Sequence, residues 1–153
     1  LLASITNANP KISNYEFTTL NPNLGVASYD DKEITIADIP GLIEGAHQGT
    51  GLGIKFLKHI ERCKTLLHLI DITNHDLQVA YNQVKNELRN YSPDLLKKKE
   101  LIILNKVDLI DEKMAKEIID EFSKKVNGEI LTLTTLKKES ISKIKAKLIS
   151  YVS

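Results

Sequence analysis

A chain of 153 residues, 42% of them hydrophobic, has the size and make-up of one soluble globular domain. Its 21 basic and 20 acidic side chains are interspersed and leave a net charge of +1, so no global field recruits DNA or a membrane surface. The single cysteine, Cys63, excludes an internal disulfide, and no signal peptide or membrane-length apolar run is present, which makes the cytosol the default.

The chain starts at Leu1, without a methionine, and residues 1–10 read as the tail of an amphipathic helix that stops near Asn9-Pro10. Residues 11–23 are polar and aromatic and read as a loop. LGVASY and KEITIA alternate as strands do, joined across Asp30-Asp31, and predict an antiparallel hairpin. The second of these strands delivers Asp38 to the edge of a sheet, where open α/β sheets bind ligands. DIPGLIEGAHQGTGLG (38–53) follows. Gly41 lets its amide approach a ligand closely, and Gly45, Gly49, Gly51 and Gly53 leave the loop free to rearrange. A carboxylate suited to a metal, beside an approachable amide on such a loop, suits a sensor of a nucleotide's terminal phosphate.

LGIKFLKHIERC (52–63) has apolar residues at helical spacing. TLLHLID (65–71) reads as a buried parallel strand, and HDLQVAYNQVKNELRNY (75–91) carries a helical stripe at 77, 81, 84, 88 and 91. Ser92-Pro93 and Lys97-Lys98-Lys99 form a surface link. ELIILNKVD (100–108) is a strand running into a polar turn, residues 111–126 a charged helix, EILTLT (129–134) a strand and SISKIKAKLISYV (140–152) a closing helix. The alternation from residue 65 onward predicts parallel βα units with right-handed crossovers. Asp71-Ile72-Thr73 reads as a strand terminus and helix cap, His68 as a satisfied core residue, and Tyr81, Tyr91 and Phe122 as core. His47, His59, His68 and His75 lack zinc-like spacing, and Lys137, Lys138, Lys143, Lys145 and Lys147 read as a solvated face rather than an RNA patch.

Three short stretches carry chemistry. Asn105-Lys106-Val107-Asp108 follows the apolar strand directly. An aspartate there can accept two hydrogen bonds from guanine N1–H and the exocyclic amine, whereas adenine presents a lone pair and no amine. Charge-assisted bonds of about 1.5–3 kcal/mol each then favour GTP over ATP by roughly 10²- to 10⁴-fold. Asn105 can bridge the base to neighbouring loops, and the aliphatic stem of Lys106 can lie over its face. In Tyr15-Glu16-Phe17-Thr18-Thr19-Leu20, a threonine hydroxyl is a hard oxygen ligand for Mg2+; the bland alternative is a β-prone loop. Thr134-Thr135-Leu136 can aim an amide at the guanine carbonyl, though strand-end threonines are common.

Asp38-Ile39-Pro40-Gly41-Leu42-Ile43-Glu44-Gly45-Ala46, together with Phe17-Thr18-Thr19-Leu20-Asn21-Pro22-Asn23-Leu24-Gly25, resembles the two switch signatures of the Obg family of P-loop GTPases. The resemblance covers essentially the whole chain. It implies a three-layer α/β P-loop NTPase fold, with a mostly parallel sheet and one antiparallel edge hairpin. It also implies a Mg2+-dependent, monomeric, cytosolic protein that binds GTP and GDP, hydrolyses GTP and associates with the large ribosomal subunit or its rRNA during assembly. By position, Asp38 would hold Mg2+ through water and Thr19 directly, and Gly41 would offer its amide to the γ-phosphate. Phe17, Thr18, Ile39 and Pro40 would complete the switches, Asn105, Lys106 and Asp108 would read guanine, and Thr134, Thr135 and Leu136 would support it.

The chain departs from the family pattern in four places. Glu16 stands where the family has proline, and Thr134-Thr135-Leu136 replaces Ser-Ala-Leu. Leu42 follows Gly41 where Ras-like proteins carry a water-orienting glutamine, so hydrolysis is expected to be slow unless assisted. No G-x-x-x-x-G-K-[ST] phosphate loop occurs in the sequence, and the first strand that would lead into it is missing too. The expectation is an N-terminally truncated Obg-type domain over residues 1–153, inactive alone, its missing strand belonging between the strand ending at Asp38 and TLLHLID. The alternative is a non-catalytic ribosome- or protein-binding module with a vestigial nucleotide site.

Overall fold

The hairpin and the parallel βα run form two separate sheets in the structure, a computed structural model that describes residues 11–12, 23–38, 52–134 and 138–152. The elements are β1 (Lys11–Ile12), β2 (Asn23–Tyr29), β3 (Lys32–Asp38), α1 (Leu52–Arg62), β4 (Thr65–Asp71), α2 (Leu77–Tyr91), β5 (Lys99–Asn105), α3 (Glu112–Ser123), β6 (Glu129–Leu133) and α4 (Lys138–Val152). The helix tail read over residues 1–10 lies outside the described residues. Lys11–Ile12, read as loop, instead pairs with Asn23 and Leu24; two residues are too short a strand to show a period.

β2 and β3 pair antiparallel from Asn23↔Asp38 to Tyr29↔Lys32. Asp30 and Asp31 between them have φ of 51° and 59°. Positive φ at both central residues gives the turn the hand that matches strand twist, and aspartate tolerates it better than most side chains. The inner face of the hairpin carries Ala27, Ile34 and Ile36 into a cluster with Leu101, Ile103, Leu133, Ile144 and Leu148.

β4, β5 and β6 are parallel neighbours in that order. β5 lies between the other two, and Leu101, Ile102, Ile103 and Leu104 are all fully buried. Alternation sends Leu101 and Ile103 toward α4, and Ile102 and Leu104 toward α2 and α3 with Ile70, Tyr81 and Phe122. Helices therefore cover both faces, giving the three layers expected. Each such buried Leu or Ile is worth about 1.5–3 kcal/mol of transfer free energy. β4 departs from the reading of a fully buried strand: Leu69 is 40% exposed and most of its residues are half-buried. Among the described residues β4 pairs only with β5 and β3 only with β2. No pairing joins the two sheets among the described residues.

The helix ends are capped locally. Asp76 accepts from the Val79 amide at 3.0 Å, and Asp111 accepts from Lys113 and Met114 amides at 3.1 and 3.3 Å. The link after α2 is less superficial than its lysines suggest. Pro93–Lys97 forms a 3-10 turn whose Leu95, 3% exposed, joins Leu57, Ile60 and Leu88. On α4, Lys143 pairs with Glu139 at 3.1 Å and Lys147 with Glu129 at 2.8 Å.

Beneath α2 lies a buried polar cluster. Glu100 accepts from the Lys85 ammonium at 2.7 Å and the Tyr81 hydroxyl at 3.2 Å, and its other oxygen lies 3.0 Å from His68 Nδ1. His68 stacks on Tyr81 with centroids 5.3 Å apart, and Tyr81 meets Phe122 edge-on. His68 is thus a satisfied core group. Burial pulls the Glu100 carboxyl up, and the bonds from His68 and Lys85 more than offset it, leaving its pKa below the usual value.

Candidate functional site

Parallel register sets the site out in one row. Asp71 pairs with Asn105, and Asn105 with Leu133, so β4, β5 and β6 end level at their carboxyl edge. The Ile72 amide donates to the Asn105 carbonyl at 3.0 Å, extending the ladder one residue past β4. This is the edge at which α/β sheets bind ligands.

Beyond Asn105 the chain turns sharply. Lys106 takes the left-handed conformation, φ 63° and ψ 32°, and its carbonyl accepts from the Leu109 amide at 3.0 Å to close a short turn over Val107–Leu109. A non-glycine residue held there is uncommon and strained by about 1–2 kcal/mol. The turn leaves Asp108 exposed, and no protein group among the described residues bonds its carboxylate. Such a carboxylate is free to accept two donors from a ligand.

Lys106 reaches back across the row. Its ammonium lies 2.6 Å from Asp71 Oδ2, while Asp71 Oδ1 accepts from the Thr73 amide at 3.0 Å and the Thr73 hydroxyl at 2.7 Å. Lys106 first, then Thr73, hold the Asp71 carboxyl down at about 2, so it is charged throughout the physiological range. Asp71 is therefore a strand terminus but caps no helix, since Asp76 caps α2. Its contact with Lys106 is not foreseen from the sequence. Its sequence signal was slight: a strand-end aspartate with a threonine two positions on.

At the end of β6, Thr134 is buried, its carbonyl accepting the Ser140 hydroxyl at 2.8 Å and its amide donating to the same oxygen at 3.4 Å. The backbone brace therefore comes from Ser140, in the first turn of α4. The structure thus brings Asn105, Lys106, Asp108 and Thr134 to one edge. Asp38 closes β3. Phe17, Thr18, Thr19, Ile39, Pro40, Gly41, Thr135 and Leu136 lie outside the described residues. No group of three or more His, Cys, Asp or Glu suited to a metal occurs among the described residues. No described helix is long and apolar enough to cross a membrane.

The 50S ribosome-binding GTPase family matches residues 1–106 of this sequence. The chain belongs to that family. Within this GTPase family it lies with the Obg proteins. It is 72% identical over 153 residues to the GTPase Obg of Pelagibacter ubique, covering 100% of this chain and 47% of that protein. It is 52% identical over 143 residues to the GTPase Obg of Rickettsia felis, covering 94% and 43%. The chain thus spans less than half the length of these two curated relatives.

The fold is shared more widely. The cytosolic domain of the T. maritima FeoB iron transporter in a GDP form superposes with a TM-score of 0.72 at 16% identity, over 98% of this chain and 56% of that one. The G domain of the same transporter gives 0.68 at 15% identity, over 98% and 87%. At such identity the likeness is one of fold, and it bears out the three-layer α/β architecture expected from the sequence.

Proposed function

We propose that the full-length protein carrying this chain is a GTP-binding and GTP-hydrolysing switch that acts on the large ribosomal subunit or its rRNA during assembly, in the cytosol and as a monomer. The observation that carries the reading is the turn Asn105-Lys106-Val107-Asp108 at the sheet's carboxyl edge, with Lys106 left-handed and the Asp108 carboxylate exposed. Membership of the 50S ribosome-binding GTPase family supports both the nucleotide and the ribosomal partner. The 72% identity to a GTPase Obg supports hydrolysis.

In this reading Asp108 accepts the two guanine donors, the Lys106 stem covers the base, Asn105 ties the turn to its neighbours, and Thr134, Thr135 and Leu136 support the guanine carbonyl. Phe17, Thr18 and Thr19 in the first switch, and Asp38, Ile39, Pro40 and Gly41 in the second, surround the γ-phosphate. An aspartate and a threonine hydroxyl form the oxygen donor set that Mg2+ prefers, so Asp38, through water, and Thr19 would hold it; when bound it offsets charge on the phosphates. The Gly41 amide would donate to the γ-phosphate. Leu42 cannot orient the attacking water, so turnover is slow without an assisting partner.

Steady-state GTP turnover by the full-length protein, with and without Mg2+, tests the reading. Slow, Mg2+-dependent phosphate release that Thr19→Ala abolishes is expected. Ribosome binding with no nucleotide effect and no turnover would instead favour the non-catalytic module.

A further inference from the structure

We propose that Asp71, at the end of β4, is a positioning residue for guanine recognition, holding Lys106 in the conformation in which its stem covers the base. The inference rests on the guanine reading above and adds a residue from another strand to it.

The two oxygens of Asp71 divide the work. Oδ1 is fixed by the amide and hydroxyl of Thr73, at 3.0 and 2.7 Å, which sets the plane of the carboxylate. Oδ2 is left to the Lys106 ammonium, at 2.6 Å. Neither arrangement serves a helix end, because Asp76 caps α2 through the Val79 amide. The pair is also no core ion bridge: the two side chains are 34% and 52% exposed and stand at the open carboxyl edge. A bridge so exposed adds little to stability, so its consequence is geometric.

Register makes the geometry possible. Asp71 sits directly opposite Asn105, and the ladder continues through the Ile72 amide, so the aspartate's distance from the next residue of the neighbouring strand is set by the sheet. The left-handed backbone at Lys106 then turns its side chain back across the strand ends. A lysine has four rotatable bonds, and an unheld one samples many rotamers. Anchoring the ammonium at one end and the backbone at the other confines the stem between them before any base arrives, which lowers the ordering cost of binding.

The test uses the full-length protein with Mg2+ and a fluorescent GDP, displaced by GDP and by GTP. Asp71→Asn keeps the shape and the Thr73 contacts but turns an amide toward the ammonium. It is expected to weaken GDP and GTP alike, by roughly two- to tenfold, the size set by ordering one long side chain, mainly through faster dissociation. The GTP-to-GDP affinity ratio should be unchanged. The decisive readout is a double-mutant cycle with Lys106→Met, which keeps an apolar stem and removes the charge. In that background Asp71→Asn should cost nothing further. Thr73→Ala, a milder change, should weaken both nucleotides less and likewise lose its effect beside Lys106→Met.

Wild-type affinity in Asp71→Asn, or the same loss in both backgrounds, overturns the inference while leaving the guanine reading in place. If the unaltered protein binds neither GDP nor GTP, the guanine reading fails first and the inference falls with it.

Discussion

The Ser140 hydroxyl donates to the Thr134 carbonyl at 2.8 Å and accepts the Thr134 amide at 3.4 Å, so the end of β6 is pinned by the first turn of α4. Removing one hydroxyl removes both contacts. Ser140→Ala in the full-length protein is expected to lower stability by about 1–3 kcal/mol, because it takes a partner from two backbone groups of a buried residue. If the turn after Thr134 supports the base, GDP and GTP affinities should fall together by a few-fold. Titration with a fluorescent nucleotide checks this, and unchanged affinity would remove Thr134 from the site.

Glu100 serves three partners, and the cost of removing it should exceed the cost of removing any one of them. Glu100→Ala leaves the Lys85 ammonium, the Tyr81 hydroxyl and His68 Nδ1 without their acceptor, at about 2–4 kcal/mol. Lys85→Met leaves the carboxylate its bonds to Tyr81 and His68 and should cost about half as much. The folded-state pKa of Glu100 is lowered, so its contribution is present above the unfolded carboxyl value and is lost as pH falls through the folded one. Acid unfolding monitored by circular dichroism should therefore be less pH-dependent in Glu100→Gln.

Tyr81 gives the opposite sign at the alkaline end. Burial, then the neighbouring Glu100 charge and hydrogen bond, pushes its hydroxyl up to about 12 from 10.0. The folded state holds that proton more tightly, so the stabilisation is complete below pH 10 and declines as pH rises toward 12. Tyr81→Phe should flatten this decline in thermal melts between those values. A melt whose alkaline slope is the same in both proteins would contradict it.

How legible the molecule was depended on how local each feature is. β5 announced itself through LIIL, a run apolar on both faces, and all four residues are fully buried. The hairpin was legible because two alternating strands meet at Asp30-Asp31, residues that accept the positive φ the turn needs. β4 read as equally apolar yet lies half-buried, because burial of a strand depends on neighbours that its own sequence does not contain. The polar turn at 105–108 was legible as chemistry, but its anchor was not. Asp71 and Lys106 are 35 residues apart, and only parallel register and a left-handed lysine bring them to 2.6 Å. Leu95 was masked for a similar reason: a link rich in lysine hides one side chain that turns inward.

Competition binding by the full-length protein, with Mg2+ present, tests the central assignment most directly: fluorescent GDP displaced in parallel by GTP and by ATP. Two charge-assisted bonds from guanine to Asp108 predict that GTP competes roughly 10²- to 10⁴-fold better than ATP, and that Asp108→Asn erases most of this margin. Equal competition by ATP and GTP in the unaltered protein would contradict the account.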